Sequence, residues 1–114
     1  MDKIEFADSL EWHDGILNDV QIKCREGVSI KIIFDLYRNN NDKERKKMIG
    51  NFYQVNDINI FIDSVELCVN KGAGNIAGGY IKKIWKTKEY KFFLYLVDGL
   101  INFKFRDFNI NEID

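Results

Sequence analysis

Apolar and polar residues alternate most clearly between residues 90 and 108, where the sequence predicts two β-strands joined by a tight turn. The outgoing strand is apolar at every second position from Ile101 to Phe105, which is typical of a half-buried strand. The incoming strand, residues 90–97, is apolar at nearly every position, so we expect neighbouring elements to cover both of its faces. Asp98-Gly99 lies between the two runs and predicts a type I′ turn, which needs positive φ at both central residues.

A second hairpin is predicted nearer the N-terminus. The strands Ile16 to Cys24 and Val28 to Tyr37 each place apolar side chains mainly on one face. The turn Arg25-Glu26-Gly27 joins them, and its glycine is free to adopt positive φ. Extended structure resumes over residues 48–63, where a β-bulge near Asn56-Asp57 would restore the alternation.

The remaining segments complete an all-β pattern. Shorter strands are predicted over Val65 to Val69, Tyr80 to Lys86 and Phe108 to Ile110. Residues 1–15 are expected to form a short strand or irregular lead-in that turns at Asp14-Gly15. No apolar i, i+3, i+4, i+7 pattern extends over ten residues, so little or no helix is expected. The sequence therefore predicts a single-domain antiparallel β-sandwich or small barrel of about seven or eight strands, spanning residues 1–114.

Composition and charge narrow the classes of partner. Hydrophobic residues make up 46% of the chain and charged residues 31%, which suits one core with a charged surface. The formal net charge of −1 gives no overall electrostatic reason to expect nucleic acid or an acidic membrane as a partner. The longest apolar run, Phe92–Val97, is far shorter than a membrane span. The acidic N-terminus does not resemble a secretory signal, so a cytoplasmic location is expected.

The two cysteines, Cys24 and Cys68, fall at positions that the strand pattern turns inward. We therefore expect two buried free thiols that act as small hydrophobic residues. A disulfide would require the two strands to be neighbours and is less expected in a chain that is not secreted.

No constellation of residues identifies a reaction, so the sequence predicts no catalytic residue, no cofactor and no metal site. Residues 72–77, GAGNIA, match G-x-G-x-x-A, but an extended run follows instead of the helix that a dinucleotide site needs. His13 is the only histidine, and with two distant cysteines it cannot complete a zinc site. The segment Trp12-His13-Asp14-Gly15 indicates a structural element, with the indole packed on the core and the aspartate bonded to turn amides.

Charge is distributed unevenly along the chain. Residues 1–19 carry a net charge of −5, whereas residues 71–91 carry six lysines against one glutamate, a net charge of +5. Asp57, Asp63 and Glu66 lie in a stretch that contains no lysine or arginine. These three acids are the predicted partner-binding residues, since an acidic patch can steer and dock a basic protein. Ordinary mixing of surface charge is the alternative interpretation.

Several segments carry a family resemblance when taken in order along the chain. They are Ser9–Leu17 with its Trp-His-Asp-Gly element, Phe52–Val55, Asp63–Leu67, Gly74-Asn75-Ile76 and the Leu96–Leu100 hairpin. Their order resembles that of small all-β immunity proteins of bacterial polymorphic-toxin and contact-dependent growth inhibition systems. The resemblance implies a cytosolic, non-enzymatic protein that binds one cognate toxin domain, often a nuclease, and blocks it. A nuclease must be basic to hold phosphates, so its inhibitor is expected to present acids.

Other functions stay open on the sequence. A small-ligand-binding or lipid-binding β-barrel would line a cavity with the many aromatic residues, and an enclosed apolar pocket would favour it. An enzyme would need polar groups that converge in a cleft around His13 or the acids. A β-sandwich interaction module of another kind would share the same fold.

Overall fold

The computed structural model describes residues 2–38, 41–70 and 74–113 and shows an antiparallel β-sandwich. Within these ranges eight strands are present: β1 (Glu11–Cys24), β2 (Val28–Tyr37), β3 (Lys46–Tyr53), β4 (Asn56–Ile62), β5 (Ile76–Ile84), β6 (Glu89–Leu96), β7 (Gly99–Phe105) and β8 (Asp107–Glu112). Two short helices, α1 (Lys3–Ser9) and α2 (Ser64–Val69), accompany them. The predicted all-β sandwich with little helix is therefore confirmed.

The strands form two four-stranded sheets. Sheet A has the order β1-β2-β3-β8, and sheet B has the order β4-β7-β6-β5. Every paired strand in the two sheets is antiparallel to its neighbour. The long strand β1 also contacts β5 and joins the two sheets along one side. The face of each sheet that points away from the other sheet forms part of the protein surface.

Two details of the strand prediction are confirmed. β1 and β2 form the expected hairpin, in which Cys24 pairs with Val28 and Gly27 has a φ of 106°. The bulge near Asn56-Asp57 is also present. Pairing between β4 and β7 shifts register between Asn56 and Asn59, and Asp57 has a φ of 51°.

The core between the sheets is dominated by phenylalanine rings. Phe52 on β3 of sheet A is fully buried against three rings of sheet B. Its ring centroid lies 5.3 Å from that of Phe92 and 5.0 Å from those of Phe103 and Phe105. These separations are typical of favourable aromatic contacts. A single aromatic cluster therefore holds the two sheets together.

The turn between β6 and β7 differs from the predicted type I′ turn. Leu96 pairs with Gly99, so Val97 and Asp98 form the turn, and neither has positive φ. Gly99 is needed for a different reason. A Cβ atom at this position would lie 2.4 Å from the carbonyl oxygen of Phe61 on β4, which is closer than packing allows.

The expectation that both faces of β6 are covered is wrong. Its inner face is buried, whereas on its outer face Phe93 is half-buried and Tyr95 is exposed. A two-layer sandwich buries only one face of each strand, so the outer apolar residues of β6 form part of the protein surface. This exposed face is described with the candidate sites below.

Two segments with predicted extended structure are helical. Helix α1 replaces the irregular lead-in, and the Asp2 carboxylate caps it by accepting a 2.8 Å hydrogen bond from the backbone N–H of Glu5. Helix α2 replaces the predicted strand Val65–Val69. Both helices are too short to show an apolar period, so the carboxylate N-caps are their main sequence signal. The chain does not turn at Asp14-Gly15; β1 continues through these residues with a shift of register.

Both cysteines are free and exposed, so the prediction of buried thiols is wrong. Cys24 is the last residue of β1, where the hairpin extends past the core. Cys68 lies on α2 rather than on a strand. The alternation of apolar and polar residues therefore predicts the wrong burial for each thiol.

The glycine-rich segment lies partly outside the described residues, which do not include Lys71, Gly72 and Ala73. Strand β5 begins at Ile76, earlier than the predicted start at Tyr80. The residues after Gly74 thus enter a strand, and the helix required by a dinucleotide motif does not follow.

Candidate functional site

Helix α2 carries two of the three acids that the sequence predicts as partner-binding residues. Asp63 is its N-cap, and one carboxylate oxygen accepts 3.2 Å hydrogen bonds from the backbone N–H groups of Val65 and Glu66. Glu66 lies in the first turn, where a negative charge interacts favourably with the helix dipole. Both acidic side chains are exposed, so they stabilise the start of the helix and remain accessible to a partner.

Asp57, the third predicted residue, lies at the other end of β4. Its carboxylate is 3.1 Å from the ammonium group of Lys104 on β7. Extended chain rises about 3.3 Å per residue, which places Asp57 on the order of 20 Å from Asp63. The structure thus brings Asp63 and Glu66 together and leaves Asp57 apart.

Large apolar side chains stand exposed beside the acids of α2. Val65 and Val69 are 69% and 71% exposed, and Phe61 at the end of β4 is 81% exposed. The turn before β7 is adjacent, because the carbonyl of Asp98 accepts a 3.0 Å hydrogen bond from the backbone N–H of Asp63. We call this surface the α2 patch and define it as Phe61, Asp63, Val65, Glu66, Val69 and Asp98. Exposed apolar residues rimmed by charge are typical of a protein interaction site.

Sequence reasoning missed the apolar half of the α2 patch. The prediction of a strand over Val65–Val69 would place these two valines on the same buried face. The signal that indicates the helix is Asp63 followed three residues later by Glu66, which resembles a capping box. Once the segment is helical, residues four apart share one face, and both valines point the same way.

Asn75 holds α2 and the neighbouring turn in place. Its buried side-chain oxygen accepts a 2.8 Å hydrogen bond from the backbone N–H of Leu17 on β1, and its amide nitrogen donates to the carbonyl of Leu67 on α2 at 3.2 Å. The backbone carbonyl of Asn75 accepts a 3.0 Å hydrogen bond from the backbone N–H of Val97. One residue therefore links β1, the helix and the β6–β7 turn.

Trp12 of the Trp-His-Asp-Gly element packs on the core, as the sequence predicts. The Trp12 indole is 5% exposed and donates to the carbonyl of Ala7 at 3.2 Å. Gly74, with a φ of 96°, packs so closely that a Cβ atom there would lie 2.6 Å from the carbonyl oxygen of Asp14. The Asp14 carboxylate differs from the prediction, since it lies 3.3 Å from the exposed ring of His13 rather than on turn amides. Gly74 and the Trp-His-Asp-Gly element are therefore packed directly against each other.

In the described residues, no set of three or more His, Cys, Asp or Glu side chains is placed to hold a metal ion. The phenylalanine rings in mutual contact between the sheets occupy the space where a ligand of barrel type would lie. The small-ligand alternative stays a hypothesis.

A second candidate surface is the outer face of sheet B. Three aromatic side chains and three lysines of β5, β6 and β7 lie on it: Tyr80, Lys82, Lys91, Phe93, Tyr95 and Lys104. We call this surface the lysine–aromatic face. The side chain of Trp85 lies beside it and lines a groove with Lys82, Lys91 and Phe93. Hydrogen bonding to Tyr80 and burial raise the pKa of Tyr95 above its ordinary value.

Glu89 is the acid closest in sequence to these lysines, yet it is buried. The side-chain amide of Asn56 on β4 donates a 2.6 Å hydrogen bond to its carboxylate. This hydrogen bond, with weaker help from Thr87, Arg106 and Lys104, holds the pKa of Glu89 below its ordinary value despite burial. The carboxylate therefore ties β4 to β6 and keeps its negative charge, which acts on Lys104 and Arg106.

Replacing Glu89 by glutamine is expected to destabilise the protein at neutral pH and to lose that effect in acid. The folded state lowers the pKa, so the charged carboxylate contributes stability above its ordinary pKa of about 4.5, and the contribution disappears as pH falls through the lowered pKa. Denaturant unfolding of both proteins at pH 7 and pH 3 measures the difference. A difference that stays constant over this range would show that the charge of Glu89 is not what stabilises the fold.

No helix in the described residues is long and apolar enough to cross a membrane.

The comparisons with other proteins leave the family open. Searches against models of protein families, curated protein sequences and solved structures find no match to this chain.

Proposed function

We propose that this chain is a non-enzymatic binding protein of the immunity type, which acts in the cytoplasm by docking a basic toxin domain on the α2 patch. The observation that carries the proposal is the exposure of Phe61, Val65 and Val69 beside Asp63 and Glu66. Apolar side chains supply the buried centre of an interface, and the acids steer a basic partner towards it. The resemblance of the ordered segments to immunity proteins supports the same function.

The α2 patch has features that a docking surface needs. It lies on a helix whose position is fixed by Asn75, so little ordering is required when a partner binds. Its acids form no ion pair with a described lysine or arginine, which leaves their charge available. Asp57 forms an ion pair with Lys104, and we therefore place it outside the central contact surface.

The decisive experiment first identifies the gene next to the one for this chain, where the proposal predicts a toxin domain, and then uses that domain as the binding partner. Association is followed by stopped-flow fluorescence at low and physiological salt for the wild type and for a variant with Asp63→Asn and Glu66→Lys. Asparagine keeps the N-cap of α2, so the charge change is separated from helix loss. We expect the association rate to fall about tenfold at low salt, with a smaller effect at physiological salt.

A matched control lies on the other helix. Glu5 occupies the first turn of α1 as Glu66 does in α2, and Asp8 is also exposed. The control variant, Glu5→Lys with Asp8→Asn, changes the net charge equally. If both variants bind the toxin at the wild-type rate at each salt concentration, the α2 patch is not the docking surface. If a neighbouring toxin binds nowhere on this chain, the immunity function itself is wrong.

A further inference from the structure

The register of sheet B aligns lysines that are distant in sequence. Lys91 on β6 pairs with Lys104 on β7 and with Lys82 on β5, so the three form one row across the outer face. Neighbouring strands are about 4.8 Å apart, and the row therefore spans about 10 Å. Lys82 and Lys91 lie within 4 Å of no carboxylate in the described part of the chain, whereas Lys104 is paired with Asp57.

A row of aromatic rings lies directly beside this row of lysines. Tyr80 pairs with Phe93 across β5 and β6, and their ring centroids are 4.8 Å apart with nearly parallel planes. Tyr95 extends the set, with its plane tilted 10° from that of Phe93. Trp85 is 79% exposed in the turn after β5, and the ammonium group of Lys83 lies 4.4 Å from its ring centroid.

The acids near this surface neutralise it only in part. The charge of buried Glu89 acts on Lys104 and Arg106, and Asp57 is also paired with Lys104, whereas Lys82 and Lys91 have no acid within 4 Å among the described residues. The face therefore has a positive local charge although the whole chain has a net charge of −1. Folding therefore brings lysines that are distant in sequence together on one surface, which the net charge of the whole chain does not indicate.

We propose that the lysine–aromatic face, with Trp85, binds single-stranded nucleic acid. Each unit of such a strand carries one phosphate and one flat base, which matches a row of ammonium groups beside a row of exposed rings. An acidic peptide would satisfy the lysines, but it offers no flat apolar group in regular repeat. Phe61 of the α2 patch borders this face, because Phe61, Leu100 and Tyr95 are aligned across β4, β7 and β6. The row of lysines lies four residues further along β7, so variants at Lys82, Lys91 and Trp85 leave the residues of the proposed toxin-binding surface unchanged.

The test measures fluorescence anisotropy of a labelled 12-nucleotide oligothymidine titrated with the full chain. We expect micromolar binding at low salt and a slope of log affinity against log salt of about −1.4, since about 0.7 counterions are released per phosphate contact on a single strand and Lys82 and Lys91 supply two such contacts. The protein has two tryptophans, and only Trp85 is exposed, so binding should also quench tryptophan fluorescence. Polyglutamate serves as the acidic comparator without bases.

Two variants separate charge from stacking. Replacing Lys82 and Lys91 by glutamine should weaken binding about tenfold and flatten the salt dependence. Replacing Trp85 by alanine should also weaken binding about tenfold while leaving the salt slope unchanged. Lys23 and Lys47 are exposed on other parts of the surface, and their replacement by glutamine makes the matched control.

The outcomes are decisive in either direction. Binding that is lost in both variants and kept in the control supports the proposal. Absence of oligothymidine binding at low salt overturns it. Equal affinity for polyglutamate, with no effect of Trp85→Ala, also overturns it, because the face would then be a docking site for an acidic protein. Circular dichroism of each variant confirms that the strands are intact.

Discussion

Truncation of Phe52 to alanine is expected to lower the free energy of unfolding by about 3–5 kcal/mol. Phe52 is fully buried and contacts Phe92, Phe103 and Phe105 of the opposite sheet. Its removal leaves a cavity at the point where the sheets meet, and neighbouring rings can refill it only in part. Domains of this size are usually stable by about 5–15 kcal/mol, so the loss is a large share of the total.

Denaturant unfolding measures this effect, and the next residue supplies the control. Tyr53 is also on β3, but its side chain points to the outer face and is exposed. Its replacement by alanine should cost less than about 1 kcal/mol. If the two variants unfold at the same denaturant concentration, the ring cluster is not the centre of the core.

Replacement of Asn75 by alanine is expected to cost about 2–4 kcal/mol. The change removes two side-chain hydrogen bonds and leaves the backbone N–H of Leu17 and the carbonyl of Leu67 without their partner. A buried donor or acceptor left unpaired costs more than the hydrogen bond itself contributes. The loss should also release α2, because this residue connects the helix to β1.

Hydrogen exchange measured with unfolding distinguishes this mechanism from general destabilisation. In Asn75→Ala, the amides of Leu17 and of α2 should exchange faster than those of β2 and β3. The control is Asn109→Ala, because Asn109 accepts hydrogen bonds from Asn51 and Asn111 at the edge of sheet A. Equal unfolding curves for the two variants would show that Asn75 does not anchor the helix.

The strands could be predicted from sequence because their signal is local. In β2, apolar residues alternate with polar ones except at Ile33, so its bounds, Val28–Tyr37, follow from the pattern. The helices could not be predicted from periodicity, because α2 extends for less than two turns and its valines resemble a strand. The sequence indicates Asp63 as a surface charge, although this residue also determines where the helix begins.

The candidate surfaces depend on information that no local pattern contains. Lys104 joins Lys82 and Lys91 only through the register of three strands. Glu89 looks in the sequence like a countercharge to its neighbouring lysines, yet it is buried against Asn56 of another strand. The acids of α2 can be recognised in the sequence as part of an acidic stretch. The exposure of Val65 and Val69 follows only from the helix, which the sequence pattern does not predict.

The bulge at Asp57 also affects the tendency of copies of this protein to associate through their sheet edges. β4 is an edge strand rich in isoleucine, and such a strand with a free ladder of backbone groups invites sheet-to-sheet aggregation. The bulge limits its regular pairing with β7 to Asn59–Ile62, and α2 follows immediately at the other end. A short, twisted edge gives an incoming strand little length to pair with. The bulge at Asp57 therefore protects this edge of sheet B from misassembly.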